Sequence, residues 1–176
     1  MTGKLLVLAL VLSTVLAGGA LYYLQVYAYY SEVPVAADGE NLHLVAAATE
    51  APEVVETADF RAIDADSSPI RYRACFTTKI PLVDLKARFK VMPKGNPRNA
   101  PGWFDCFDAV AVGQQIERGT ATVFLSQKNI EYGVDRIAAI TEDGRGFVWH
   151  ELNECGKKAY DGTVVGEACP PRPEQQ

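Results

Sequence analysis

Residues 5–30 contain no charged side chain, and that uncharged run restricts what the chain can fold into more than any other feature. Residues 5–24 alone would make a helix about 30 Å long at roughly 1.5 Å per residue, which matches the thickness of bilayer hydrocarbon. Eight leucines and three valines in that window, each worth about −0.3 to −0.6 kcal/mol on insertion, outweigh Ser13, Thr14 and the glycines. Residues 1–30 are therefore expected to form a transmembrane anchor. Tyr22, Tyr23, Tyr27, Tyr29 and Tyr30 crowd its outer end, where amphipathic rings favour the headgroup level.

Lys4 and the terminal amine precede the span, whereas residues 31–60 hold no Lys or Arg. The positive-inside bias then puts the N-terminus in the cytoplasm and the bulk of the chain across the membrane. With about four residues ahead of the span, no cytoplasmic ATP-binding domain is expected, and so no kinase. The competing reading is a signal peptide cleaved near Gly18, Gly19 and Ala20. Apolar and aromatic character runs ten residues past Ala20, which suits a signal-anchor better, and no cysteine near residue 20 supports lipoprotein processing.

Beyond the anchor, about 110 to 130 residues suffice for one compact domain. The net charge of −5 and pI near 5.1 argue against a nucleic-acid partner, which would need a basic face for phosphates. Glu32, Asp38, Glu40, Glu50, Glu53, Glu56 and Asp59 lie in a stretch without a single cation. Residues 31–58 accordingly read as an acidic spacer with one short strand at residues 42–45.

Residues 59–169 read as an α+β domain with a mainly antiparallel sheet and one main helix. Ile70, Tyr72, Ala74 and Phe76 alternate with Arg71, Arg73, Cys75 and Thr77, which predicts a hairpin strand with one buried face. Leu85, Ala87, Phe89 and Val91 alternate in the same way and predict a further strand. Prolines make residues 93–101 an irregular loop. Asp108 is a good N-cap, with Phe107 and Val112 placed as a hydrophobic staple and Arg118-Gly119 as a stop, so a helix is expected over residues 109–118. Three strands follow, at residues 120–127, 134–141 and 146–152, the last two joined through Asp143-Gly144. Residues 170–176 form a polar tail expected to be disordered.

Cys75, Cys106, Cys155 and Cys169 all lie beyond the span, where an oxidising compartment would pair them. Four cysteines allow three pairings; Cys75 with Cys106 and Cys155 with Cys169 are the expected ones. No Cys-x-x-Cys is present, and His43 and His150 stand in different segments, so neither a metal site nor a cofactor is expected. Asp64-x-Asp66-x-Ser68 resembles the start of a calcium loop, but it lacks the glycine and the closing glutamate and reads as a turn. His150, on a strand with no nucleophile near it, reads as structural rather than catalytic.

Lys79, Lys86, Arg88, Lys90, Lys94 and Arg98 form a basic stretch that could dock on anionic headgroups or an acidic partner, pair with the acidic segment, or simply face solvent. The adjoining loop ends in Trp103 and Phe104, rings of a kind common at protein contacts. Lys86, Arg88, Lys90, Trp103 and Phe104 are the candidate interaction surface; the alternative is that the two rings cap the core.

Residues 60–69 (FRAIDADSSP), 101–108 (PGWFDCFD) and 130–136 (IEYGVDR), together with the tyrosine-rich anchor, resemble an uncharacterised family of small single-pass membrane-anchored proteins of alphaproteobacteria. The resemblance implies an inner membrane and a periplasm, and it carries over no activity, ligand or site. The expectation is a membrane-tethered periplasmic accessory, assembly or scaffold component with a protein partner in an envelope complex. A periplasmic sensor with a cleft between residues 93–103 and the sheet is the second expectation, and an enzyme the third.

Overall fold

The computed structural model describes residues 2–36 and 40–171. Asp38 of the acidic segment and residues 172–176 of the expected tail lie outside them. Helix α1 (Thr2–Tyr23) continues without interruption into a π-helical turn, Leu24–Ala28. The run Gly3–Ala28 is long and apolar enough to cross a membrane, and the rest of the chain covers none of its apolar stretch.

From the end of this helix the chain passes directly into a sheet. Strand β1 (Ser31–Glu32) pairs antiparallel with β4 (Ala58–Asp64), Ser31 opposite Asp64 and Glu32 opposite Ile63. The Val33 amide then donates to the Ala62 carbonyl at 2.9 Å. The remaining strands are β5 (Arg73–Thr77), β6 (Val91–Met92), β7 (Ala121–Glu131), β8 (Val134–Thr141) and β9 (Arg145–Leu152). They form one seven-stranded sheet in the order β1-β4-β5-β9-β8-β7-β6, antiparallel at every step. Its edge strands β1 and β6 are two residues each, which leaves little unpaired backbone for another chain to extend.

Strand alternation sorts the core into two layers. Ala74, Phe76, Ala138, Ile140, Val148 and Phe124 point to one side of the sheet, where Leu42, Leu44, Val55, Leu85 and Phe89 cover them. Cys75, Ile137, Ala139, Phe147, Trp149, Val123 and Leu125 point to the other, where Phe104, Phe107, Ala109 and Val112 close the layer. The central strands are thus buried on both faces. The hairpin strand expected to have one buried face hides Arg73 and Cys75 as well, because residues 93–107 lie across it.

Two expectations are corrected here. Residues 31–58 are not a spacer: β1 belongs to the sheet, and β2 (Leu42–Val45) with β3 (Pro52–Val55) forms an antiparallel hairpin packed on one face. Leu42, Leu44 and Val55 are essentially inaccessible, each worth about 1.5–3 kcal/mol of burial. The exposed ion pairs Arg88–Glu53 and Lys90–Glu50, at 3.1 and 3.3 Å, contribute about 1 kcal/mol each at most. Apolar burial therefore seats the hairpin, and the acidic residues occupy its outer rim.

The strand expected around Leu85–Val91 is instead helix α2 (Leu82–Arg88) followed by β6. Leu85 and Phe89, four apart, are both buried, while Ala87 and Val91 are exposed, so only half of the apparent alternation faces the core. Pro81 at the N-cap, Asp84 in the first turn and Lys86 and Arg88 in the last suit a short helix and its dipole. Helix α3 (Ala109–Glu117) begins where expected, the Asp108 carboxylate accepting from the Val110 and Ala111 amides.

The expected disulfides are present. Cys75–Cys106 ties β5 to the overlying loop (Cα–Cα 6.2 Å), and Cys155–Cys169 closes the C-terminal segment (Cα–Cα 4.9 Å). Their sequence separations are 31 and 14. Loop entropy then gives an expected loss of about 4 kcal/mol for the Cys75→Ala/Cys106→Ala variant and about 3 kcal/mol for Cys155→Ala/Cys169→Ala. Urea unfolding of the two double variants measures both losses and their order.

Candidate functional site

A helix end leaves carbonyls without intrahelical donors. At the end of the apolar helix these are taken up by the domain. The Trp103 indole Nε1 donates to the Val26 carbonyl at 2.7 Å, and Arg71 Nη1 to the Gln25 carbonyl at 3.4 Å. Around them, Tyr27 stacks on Trp103 with centroids 6.5 Å apart, Tyr30 meets the indole edge-on at 6.1 Å, and the Arg71 guanidinium lies over the Tyr30 ring. Tyr27 and Tyr30 of the expected belt thus clasp the domain.

The five residues expected to form one interaction surface are separated. Trp103 is half-buried at this junction, and Phe104 beneath it is buried in the core. Lys86, Arg88 and Lys90 lie on and after α2, across the opposite face of the sheet, where Arg88 and Lys90 pair with Glu53 and Glu50 of the acidic segment. A single patch of cations and rings is therefore ruled out geometrically.

Between residues 92–96 and the ends of β8 and β9 lies a cavity of about 570 Å³, a size suited to a small ligand. Gly95 permits it: a Cβ there would press on the buried Trp149 ring beneath the loop. Glu151 Oε2 accepts from the Asn96 amide (2.8 Å) and Trp149 Nε1 (2.9 Å), which fixes the loop to β9. Deeper in, buried Asp135 uses Oδ1 to accept from the Asn129 amide (2.8 Å) and Asn153 Nδ2 (2.7 Å), while its Oδ2 stands 3.9 Å from Lys128 Nζ. Lys128 is paired in turn with Glu167. Four carboxylates and two lysines line the space, a balance that suits a neutral or cationic guest.

The third cluster is polar and buried. Arg73 is 3 % exposed and bonds only carbonyls: Arg98 (2.8 Å), Asn99 (3.2 Å), Ile70 (2.9 Å) and Tyr72 (2.6 Å). Burial lowers its pKa to about 10, so it stays charged at neutral pH. His150, 4 % exposed, is flanked by Arg136 Nε–H, which donates to Nε2 at 2.9 Å, and by the Pro69 carbonyl, 2.7 Å from Nδ1. That pair of contacts requires the neutral ring with its proton on Nδ1. Tyr72 stacks on His150 at 4.8 Å, and Arg136 lies over the other ring of the pair.

Alternation put Arg73 on the open face of its strand, and the 130–136 run that holds Asp135 and Arg136 carried no role for either; each is an ordinary polar residue in a strand until the covering layers are known. The Asp64 to Ser68 segment forms the expected turn, with the Ala65 amide bonded to Asp64 Oδ1 and the Ser68 amide to the Ala65 carbonyl. Among the described residues, no three His, Cys, Asp or Glu side chains gather as a metal site.

Burial chiefly, with Arg136 and Arg73 adding like charge, lowers the His150 pKa from 6.5 to about 4. The unfolded chain therefore binds the proton that the fold excludes, and stability falls as pH drops from 6.5 toward 4. Between pH 6.5 and 5, above most carboxylate titration, the expected loss is on the order of 1–2 kcal/mol. Chemical unfolding of the wild type and of His150→Gln at these two pH values checks this, the variant being expected to lose the dependence.

No curated protein and no solved structure matches the chain. One family model does match, over residues 42–170, from the first strand of the hairpin through the second disulfide. The chain belongs to that family, the family of unknown function DUF6446.

Proposed function

We propose that this chain is a membrane-tethered periplasmic accessory, assembly or scaffold protein. In this reading it crosses the inner membrane of an alphaproteobacterium once, with its N-terminus in the cytoplasm and its bulk in the periplasm. The observation that carries it is the junction: the apolar helix runs straight into β1, and Trp103 and Arg71 cap its last carbonyls. A domain joined to its anchor in this way presents surfaces at a set height and orientation, which suits assembly with neighbours. Lys4 before the span and two disulfides after it support the orientation. The reading is non-enzymatic; the one histidine weighed for catalysis has both ring nitrogens engaged and is held neutral. Affinity purification of the full chain from membranes in mild detergent, with mass spectrometry, should recover a reproducible envelope partner. A chain that always emerges alone would count against the proposal.

The cavity beside residues 92–96 favours a second reading, a periplasmic sensor or ligand-binding module. A metabolite screen by thermal shift should then give a hit that Lys128→Ala alters. A flat response across the library removes this reading.

A further inference from the structure

Three arginines gather at the outer end of the apolar helix, none with a carboxylate at ion-pair distance among the described residues. Arg73 is buried and bonded to carbonyls. Arg71 bonds the Gln25 carbonyl and covers Tyr30. Arg98 is half-buried, and its Nε is sealed from solvent with no hydrogen-bond partner. The charges on Arg98 and Arg71 both push against that of Arg73, so the three form one electropositive group. Asp64 offsets it in part, and no nearby carboxylate among the described residues pairs with it directly. Asp64 attracts Arg73 and Arg136 from a distance, while burial raises its own pKa, and Asp105 is taken by Arg61 at 3.1 Å.

Depth identifies what would complete the group. The 26 residues Gly3–Ala28 span about 39 Å as a helix, and bilayer hydrocarbon is about 30 Å thick, so the last six or so residues emerge among the headgroups. Gln25 and Val26 belong to that emerging turn, and they are the residues that Arg71 and Trp103 hold. Arg71 is thereby fixed in the phosphate layer, with Arg98 on the segment that Arg73 ties to the start of β5. Unpaired guanidiniums at this depth meet phosphate oxygens, whose geometry matches the guanidinium fork.

We propose that Arg71 and Arg98 bind the headgroup phosphate of an anionic phospholipid and so dock this face of the domain on the leaflet it faces. The inference rests on the membrane reading above. Arg73 lies behind the two as a fixed, non-contacting charge.

The test uses the full chain in phosphatidylcholine nanodiscs with graded phosphatidylglycerol, reading lipid retention by native mass spectrometry and the thermal midpoint. Phosphatidylglycerol should be retained preferentially and raise the midpoint, whereas inorganic phosphate should leave it unmoved. Arg98→Gln keeps the backbone carbonyl that Arg73 uses, so the fold survives, and should weaken retention about fivefold; Arg71→Gln/Arg98→Gln should weaken it about thirtyfold. Arg98→Lys should restore most of the effect of Arg98→Gln. Equal retention by wild type and double variant overturns the proposal, as does a phosphate effect equal to that of the lipid. Alkaline extraction of membranes separates the two claims: release of the chain would defeat the membrane reading, while a retained chain without lipid preference defeats the headgroup site alone.

Discussion

Arg73 and Cys75 sit two apart on β5 and so point to the same face of the sheet, and the layer over that face depends on them. The covering segment, residues 93–107, has three prolines and few backbone hydrogen bonds of its own. It is held instead by the guanidinium at the Arg98 and Asn99 carbonyls and by the disulfide at Cys106. Hydrogen bonds to a charged group are worth about 1.5–3 kcal/mol each, and a cross-link of this span about 4 kcal/mol. Against that, ordering an irregular segment opposes folding by about 1–2 kcal/mol per residue. Phe104, Phe107 and Trp149 supply the apolar burial that closes the balance, and Trp103, carried on the same segment, reaches the apolar helix only because the layer is pinned.

On the other face the logic is simpler. The β2–β3 hairpin shares no ladder with the main sheet; it is attached by its buried side chains, Leu42, Leu44 and Val55 among them, by Ser126 Oγ donating to the His43 carbonyl, and by backbone bonds from Lys90 to Val45 and from Ala47 to Arg88. Its acidic rim meets the cations of α2 and the residue after it. The charge segregation visible along the chain, anionic before residue 60 and cationic over residues 79–98, is therefore partly internal pairing rather than two independent surfaces.

Local signals were legible where local chemistry decides the outcome. The Asp108 cap, the Asp143-Gly144 turn and the three β-branched strands after α3 were readable because each is specified within a few residues. The disulfide pairing was readable from proximity in sequence. What failed was anything set by a distant layer. Leu85 and Phe89 fit a strand or a helix equally well, and packing in the layer with Phe124 and the hairpin joins the local cap and dipole signals in selecting the helix. Composition labelled residues 31–58 a spacer with one short strand; that strand, Leu42–Val45, is present, but its partner at Pro52–Val55 and its seat on the sheet were hidden because the few apolar residues are diluted among alanines and acids. The buried roles of Arg73 and Asp135 were invisible because each is completed by a segment distant in the chain, residues 98–99 for Arg73 and Asn153 for Asp135.

The direct fusion of helix to sheet limits how far the domain can search. A 28-residue coil between residues 31 and 58 would have let it wander about 30 Å from its anchor point, at 5–6 Å times the square root of its length. With β1 beginning at Ser31 that radius collapses to nearly nothing. With the helix in a bilayer, encounters become a two-dimensional diffusion problem: a partner must itself reside in or on the same membrane, or rise to meet a platform that turns only as its helix turns.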